Sequence, residues 1–490
     1  MAGEPPRDVE HIRDWCDLAV ASGASAEARA TAARLVRAVP PHRLRRLDFQ
    51  MRERSSYAPG PASTRWGEAL FASRGPDRWP LLGLLSMVRD GRIRERAVRA
   101  LLDGPDGDVN HFLLLRADDW VPQVREPAER AISERMNTER GPALLAVLPV
   151  LWDRFMSTES WGRSSNLVAS IRTWLEAPAQ RALLWDGARA SDPWVARMCV
   201  SILLQSDDVV ALYRAVGQSK DLLVSSWTGL ACLRDDTAAE QVIDDLLDSR
   251  FGVVREAAAF WALRHRDDPV LLERLMFDRL TRVRFQAQHF LLAEGSDPAR
   301  WYRDRLPDSK ALTGIADVAT DEDLETALTE LTSEAAERRA AAAGILRRIS
   351  VPRAHQALVG AIADRTPGVS RRAADGVRSQ GVVAEDMDRL IEIAQSDSAS
   401  HVARNIRRSL VDSTRWIRLL GALTLLALSR DAENEGHILL DRTLRSWERS
   451  FTEPTEAELR QVHDSLDALR PLHETLVARV EDVIARYGST

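Results

Sequence analysis

The hydrophobic positions along the chain recur in a fixed relation to an acidic residue. An aspartate is followed five positions later by a valine, and the valine is followed four positions later by a residue that is usually alanine. The full copies of this pattern are Asp119/Val124/Ala128, Asp248/Val253/Ala257, Asp278/Val283/Ala287, Asp364/Val369/Ala373 and Asp397/Val402/Ile406. Residues four apart lie on one face of an α-helix. The pattern therefore predicts an all-α chain in which each valine and its neighbour four residues later face the core.

Shortened copies place the acidic residue three positions before the apolar one, at Asp90, Asp192 and Asp221. Most adjacent copies begin 27 to 33 residues apart, which is enough for a helix, a turn and a second helix. We expect each aspartate to accept hydrogen bonds from the free N–H groups at the start of the second helix. A unit of this size cannot bury its own apolar face, so neighbouring units must stack.

An arginine accompanies the valine in every full copy. It follows directly at Arg125 and Arg284, and one residue later at Arg255, Arg371 and Arg404. With this aspartate, valine–arginine pair and alanine, the unit resembles the HEAT-repeat family, particularly the short bacterial HEAT-like repeats of the PBS-lyase type. The resemblance covers roughly Pro80 to Ser409. It implies an α-solenoid, a right-handed superhelix of stacked helix-turn-helix units, and it favours Asp–Arg pairs along the stack over a column of arginines that lines a ligand groove.

The two ends of the chain differ from the array. Residues 52–65 are rich in Pro, Gly and Ser, which is typical of a loop. We therefore predict an N-terminal helical cap and loop in residues 1–65, a repeat array in 66–430 and a C-terminal helical cap in 431–490. A helix that binds a partner is the alternative for the last segment.

The C-terminal segment contains a recognisable helix start. Thr455 and Glu458 have the spacing of a capping box, in which each side chain bonds the other's backbone N–H. Three apolar residues of the following helix share one face: Val462, Leu466 and Leu469.

Composition limits the classes of protein to which this chain can belong. It has 490 residues, 45 % of them hydrophobic, and a net charge of −6, so no global basic field attracts nucleic acid or anionic lipid. Only three cysteines are present, without a C-x-x-C pair, which favours a reducing cytoplasm over a disulfide framework. The longest largely apolar stretch, Trp416 to Leu428, is too short for a membrane span.

Several catalytic motifs are missing. The only lysines, Lys220 and Lys310, both follow serine, whereas the lysine of a P-loop follows glycine. There is no H-E-x-x-H, G-x-S-x-G or G-x-G-x-x-G motif. Acidic pairs such as Asp207/Asp208 fit helix capping better than acid–base catalysis. We therefore predict no catalytic residue, no metal and no cofactor.

Charge is distributed unevenly along the array. Residues 317–337 contain eight acidic residues and no basic ones, whereas residues 335–378 contain nine arginines against three acidic residues. The two blocks either neutralise each other across the stack or leave a basic strip on the inner surface of the solenoid. Adjacent arginines such as Arg371 and Arg372 are turned by ~100° on a helix, so both do not face one groove.

Tryptophans supply the other candidate contacts. Of the 14 in the chain, five lie between Trp152 and Trp194, and most are expected to pack in the core. Core packing is favoured less strongly for Trp161, which lies in the polar run WGRSSN. The candidate partner-binding residues are therefore Arg338, Arg339, Arg347, Arg348, Arg371, Arg372, Arg404, Arg408 and Trp161.

The sequence favours a cytoplasmic, non-catalytic scaffold that binds an acidic segment of a protein partner on its concave face. The alternative is a DNA-binding protein similar to the HEAT-like alkylpurine DNA glycosylases, for which no catalytic aspartate with aromatic neighbours can be placed here. A third hypothesis, similarity to the bilin lyases, has only the repeats in its support.

Overall fold

A computed structural model describes residues 26–54, 68, 71–72, 74–156, 165–205, 208–396, 400–427, 430–447 and 454–487. These residues form α-helices, short 3-10 helices and connecting turns, and no strand occurs among them. The all-α prediction is therefore confirmed. Trp161, Asp397 and most of the predicted loop at 52–65 lie outside the described residues. No helix in the described part combines the length and apolar character needed to cross a membrane.

The chain divides into two compact units, Met1–Ala258 and Ala259–Thr490. The predicted boundaries near residues 65 and 430 stay predictions. The helices of the first unit are α1 (Ala26–Arg37), α2 (Leu44–Arg54), α3 (Arg78–Leu85), α4 (Gly91–Leu101), α5 (Asp106–Arg116), α6 (Pro122–Arg135), α7 (Gly141–Leu145), α8 (Trp152–Met156), α9 (Ser165–Glu176), α10 (Arg181–Ala188), α11 (Pro193–Leu203), α12 (Val209–Val216), α13 (Leu222–Cys232), α14 (Asp236–Glu240) and α15 (Ile243–Leu247). The division between the units falls within α16 (Gly252–His265).

The second unit continues the alternation of short helices. Its helices are α17 (Pro269–Met276), α18 (Thr281–Ala293), α19 (Pro298–Arg303), α20 (Ser309–Val318), α21 (Leu324–Glu330), α22 (Ala336–Leu346), α23 (Pro352–Ala361), α24 (Pro367–Gln380), α25 (Ala384–Ser396), α26 (Ser400–Leu410), α27 (Arg415–Leu426), α28 (Arg430–Arg445) and α29 (Glu456–Tyr487). Short 3-10 helices occur at Pro41–Arg43, Leu148–Leu151, Pro178–Gln180 and Asp321–Asp323.

Alternate helices of the second unit stack in two layers. Helices α18, α20, α22, α24 and α26 form one layer, and α19, α21, α23, α25 and α27 form the other. From α20 to α26 the first layer packs more closely than the second. Small residues permit this, since a Cβ atom on Gly344 would lie 3.0 Å from the Cβ of Ala316. In the first unit, α4 packs on α6 and α11 packs on α13 in the same way. Each unit is therefore built as an α-solenoid, as the repeat pattern predicts.

The repeat valines are buried in four of the five copies. Val124, Val283, Val369 and Val402 are each at most 1 % exposed. The fifth prediction is wrong by one residue, because Val253 is 43 % exposed and its neighbour Val254 is fully buried. One residue corresponds to a rotation of ~100° about a helix axis, so the two side chains cannot share a face.

The repeat aspartates bind backbone N–H groups in two ways. In a shortened copy the aspartate is the N-cap itself, and Asp221 accepts hydrogen bonds from the N–H groups two and three residues later, both at 3.0 Å. In a full copy the aspartate lies two residues before the N-cap, and Asp364 accepts the N–H of Thr366 at 2.8 Å. Asp119 and Asp278 bond in the same way as Asp364. The predicted contact with N–H groups holds, although in these full copies it fixes the turn before the helix.

Buried arginines connect neighbouring repeats. Arg339 donates from Nε to Oδ2 of Asp364 at 2.7 Å and from Nη2 to Oδ1 at 3.0 Å. It also donates to the carbonyl oxygens of Ser333 and Glu334, in the turn before its own helix. In two equivalent pairs the aspartate comes 25 or 24 residues after the arginine: Arg94 with Asp119 and Arg197 with Asp221. We call these three pairs the Arg–Asp ladder.

Three of the arginines predicted for this column make related contacts. Arg284 is buried and its Nε lies 2.6 Å from Asp317 Oδ2, on a carboxylate near the end of α20 and not in a turn. Arg255 donates to the carbonyl oxygen of Ser249 at 2.8 Å. Arg125 donates to the carbonyl oxygen of its own repeat aspartate at 3.2 Å. Arg284 in addition donates to the carbonyl oxygen of Asp278 at 2.8 Å. All three arginines therefore bond the turn before their helix, as Arg339 does.

The column does not extend to Arg371 and Arg404. Arg371 is exposed, and the side chain of Arg404 is 62 % exposed. Two smaller polar residues, Ser370 and Asn405, are buried there and bond each other at 2.8 Å. In both copies the arginine comes two positions after the buried valine, and at that position the side chain points away from the buried face of the helix.

The predicted start of the C-terminal helix is confirmed. The backbone N–H of Thr455 donates to Glu458 Oε2 at 2.7 Å, and the N–H of Glu458 donates to Thr455 Oγ1 at 3.2 Å. The apolar face of α29 packs against α27 and consists of Val462, Leu466 and Leu469, each at most 1 % exposed.

Asp119 is the most densely bonded carboxylate of the ladder. Its side chain is fully buried and accepts hydrogen bonds from Arg94, Arg116 and Arg52 and from the N–H of Val121, at 2.9 to 3.0 Å. Burial alone would raise its pKa. The hydrogen bonds from Arg94 and Val121, with the positive charges of Arg116 and Arg94, more than offset this and lower the pKa of Asp119.

We expect Asp119→Asn to lower the free energy of unfolding by about 3 kcal/mol, because three guanidinium groups lose their common anion. Urea denaturation followed by far-UV circular dichroism measures the change. Since the pKa of Asp119 is lowered on folding, the deficit is complete above about pH 4 and shrinks as the pH falls below that value. Asp103→Asn, at an exposed carboxylate, is the control, and an equal loss in both variants would contradict the assignment.

Candidate partner-binding groove

The acidic block and the basic block of the second unit neutralise each other in part. Three exposed or half-buried pairs connect them: Arg338 with Glu330, Arg353 with Glu325 and Arg365 with Glu334. Of the nine arginines of the basic block, four form no ion pair with the described residues: Arg347, Arg348, Arg371 and Arg372. The interpretation of mutual neutralisation therefore holds for one part of the basic block and fails for the other.

Three of these four arginines line one groove. The groove has a volume of about 640 Å³ and lies across α18, α20, α22 and α24, in the closely packed layer. Thr313 and Ala316 of α20 and Gly344 of α22 line it between its two sides. A Cβ atom at Gly344 would lie 3.0 Å from the Cβ of Ala316, so α20 and α22 are in close contact between the two sides of the groove.

One side of the groove, the basic wall, consists of Arg347, Arg348 and Arg372. The first two follow the C-terminal end of α22, where a helix favours positive charge. Arg372 projects from α24, and its Nη1 donates to the carbonyl oxygen of Ala340 at 3.1 Å. Partial burial, and then the charges of Arg371 and Arg284, lower the pKa of Arg372. The negative charge of Asp317 opposes this shift in part, but no carboxylate of the described residues forms an ion pair with Arg372.

The carboxylates at the groove are bonded to other arginines. Asp317 is 2.6 Å from Nε of Arg284, and Gln288 donates to it at 3.4 Å. Asp375 lies 2.5 Å from Nε of Arg408. These two carboxylates are therefore compensated elsewhere, and the basic wall keeps its positive charge.

The opposite side, the apolar wall, consists of Phe285, His289 and Leu292 on α18. Phe285 is 59 % exposed and Leu292 is 56 % exposed. The rings of Phe285 and His289 are stacked, with centroids 6.0 Å apart and planes inclined by 15°. The spacing of four and then three residues places the side chains on one exposed helix face.

The sequence of α18 contains a second set of apolar residues that do not belong to the repeat pattern. Helix α18 buries Val283, Ala287 and Leu291 against its neighbours. Phe285 and Leu292 form a second apolar stripe outside that face. A helix that is apolar on two sides has a second surface to cover, whereas the repeat pattern marks only the first.

The structure separates the predicted partner-binding arginines into groups. Four are held by carboxylates: Arg338 by Glu330, Arg339 by Asp364, Arg404 by Glu435 and Arg408 by Asp375. Arg339 is in addition only 5 % exposed, so its role is in the ladder. Arg371 is exposed but does not line the groove, whereas the adjacent Arg372 does. This agrees with the expectation that these neighbours face different directions. Arg347 and Arg348 are adjacent and both line the groove, because they follow the last residue of α22 and are not successive positions within a helix.

The chain is similar to several solved structures of helical proteins at low sequence identity. No family model and no curated protein matches the chain. The structure of Kap95p, which binds RanGDP, matches 96 % of this chain and 71 % of its own at 10 % identity, with a TM-score of 0.40. Importin beta matches 97 % of this chain and 74 % of its own at 12 % identity, with a TM-score of 0.32. The structure of Kap121p matches 97 % of this chain and 55 % of its own at 13 % identity, with a TM-score of 0.22. Assignment to the short bacterial HEAT-like repeats stays a prediction.

The two groups of arginines should respond differently to truncation. We expect Arg339→Ala to lower the free energy of unfolding by about 3 kcal/mol, since it leaves the carboxylate of Asp364 without its partner. The double variant Arg347→Ala/Arg348→Ala should change it by less than about 0.5 kcal/mol, because neither guanidinium group is bonded. Urea denaturation of the three proteins measures both values. A large loss in the double variant would assign these arginines to structure and remove the basic wall as a candidate binding surface.

Proposed function

We propose that this protein is a non-catalytic scaffold that binds an acidic segment of a partner protein at the groove, on the concave face of its solenoid. The observation that carries the proposal is the set of three arginines, Arg347, Arg348 and Arg372, that line one groove and pair with no carboxylate of the described residues. Each guanidinium group offers several N–H donors in a plane suited to a carboxylate. An acidic side chain would supply the missing acceptors.

The packing of the second unit supports the concave face as the location. The layer that contains the groove packs more closely than the opposite layer, and the inner layer of a curved solenoid must have the shorter spacing between helices. Repeat proteins commonly bind partners on such extended concave surfaces.

The chemistry of the groove supports binding without catalysis. Asp317 and Asp375, the carboxylates that line it, are bonded to Arg284 and Arg408, so both already have guanidinium partners within the fold. The described cysteines, Cys199 and Cys232, are buried, and burial raises their pKa values to about 12 and about 11. Neither is suited to act as a nucleophile at neutral pH. Unpaired thiols also support a location in the reducing cytoplasm.

A charge-reversal experiment tests the proposal. The affinity-tagged full chain and the triple variant Arg347→Glu/Arg348→Glu/Arg372→Glu are compared as baits in a native extract, with and without nuclease and across a salt series. We expect the wild-type protein to retain a stoichiometric protein partner after nuclease treatment, and the triple variant to retain at least 10-fold less of it. Like charges would then face the acidic segment.

Arg371→Glu is the matched control, because Arg371 is exposed, unpaired and adjacent to Arg372 but does not line the groove. It should retain the partner as the wild-type protein does. Equal retention by the triple variant would exclude the groove as the binding surface. Recovery of nucleic acid alone, with steep salt dependence, would instead favour the DNA-binding alternative.

A further inference from the structure

The groove is asymmetric, and its asymmetry restricts what can occupy it. Its basic wall offers three unpaired guanidinium groups, whereas its apolar wall offers the exposed side chains of Phe285 and Leu292. An exposed phenylalanine and leucine on one helix face leave apolar surface in water, at roughly 25 cal/mol per Å². A ligand that carried only negative charge would leave this surface uncovered.

The two walls of the groove belong to helices that are separated by one helix. Between α18, which carries the apolar wall, and α22, which precedes the basic wall, lies one intervening helix of the same layer, α20. Two successive spacings of packed helices span roughly 16–20 Å between the outer axes. A helix with its side chains is about 10–12 Å across. The two outer helices themselves occupy about 10–12 Å of that distance, so a helical partner lies over α20 at the mouth of the groove, with one side towards each wall.

We propose that the groove binds an amphipathic acidic helix of a partner protein, whose apolar face contacts Phe285 and Leu292 and whose carboxylates pair with Arg347, Arg348 and Arg372. This inference rests on the proposed function and specifies the chemistry of the partner. Charge complementarity selects an acidic segment, because the carboxylates of the groove are already bonded to other arginines. The exposed apolar stripe selects a helix that presents aliphatic or aromatic side chains at matching spacing.

Duplex DNA fits this groove less well than an acidic helix. Its phosphates would satisfy the basic wall, but its outer surface presents no aliphatic chains to cover Leu292. Single-stranded nucleic acid is a stronger competitor, since a base could stack on the ring of Phe285. The experiment therefore includes a single-stranded oligonucleotide.

The test uses the full chain and two synthetic fluorescein-labelled peptides of equal length and charge. The first has four glutamates and four leucines on opposite faces of a helix, and the second has serine in place of each leucine. Fluorescence anisotropy should show at least 10-fold tighter binding of the leucine peptide to the wild-type protein. Equal affinity for the two peptides, or binding of neither, would overturn the proposal.

Variants assign the two walls separately. Phe285→Ser/Leu292→Ser should weaken binding of the leucine peptide about 10-fold and leave the slope of affinity against salt concentration unchanged. The control Val270→Ser/Leu472→Ser removes two apolar side chains that are 76 % and 73 % exposed elsewhere in the same unit, and should bind as the wild-type protein does. Arg347→Glu/Arg348→Glu should weaken binding and flatten the salt dependence.

The outcomes separate this inference from the proposed function. If the arginine triple variant loses its protein partner but Phe285→Ser/Leu292→Ser binds the leucine peptide normally, the scaffold proposal stands and the amphipathic helix is excluded. If the arginine variants retain every ligand, both proposals fail. Tighter binding of a fluorescein-labelled oligothymidine than of the leucine peptide would reassign the groove to single-stranded nucleic acid.

Discussion

Each helix pair in this protein depends on the next pair to cover its apolar face. Each repeat is too short to form a core alone, so the second helices of neighbouring repeats must lie close together. Small residues such as Gly344 occur where these helices meet. Close packing also buries the polar ends of these helices. The Arg–Asp ladder resolves this conflict, because one guanidinium group satisfies both the carbonyl oxygens of its own turn and the aspartate of the next repeat.

The ladder also determines which positive charges remain for binding. An arginine on the buried face, such as Arg339, is held by the stack, and arginines near the acidic block are held at the surface by glutamates. The arginines at the end of α22 lie beyond the reach of these carboxylates. The basic wall thus consists of arginines that the repeat architecture leaves without an ion pair among the described residues. It lies on the layer in which the helices are most closely packed.

The groove is held in place by the same contacts that hold the array together. Its walls belong to different repeats, and the helix between them, α20, is fixed by the contact at Gly344 and by the pair of Arg284 with Asp317. Binding would therefore require ordering of the arginine side chains and little movement of the backbone, which lowers the entropic cost of association.

The sequence by itself determined the helices, the buried positions in four of five repeat copies and the capping box at Thr455. These features depend on residues within about five positions of each other, and helical periodicity alone fixes their relation. Only the tertiary structure decided which arginines are paired, because the carboxylate that holds Arg339 is 25 residues away and belongs to another repeat. It also decided that Phe285 and Leu292 stay exposed. A local pattern identifies the apolar faces of a helix, but the neighbours that cover one face and not the other are set by the stacking of the whole array.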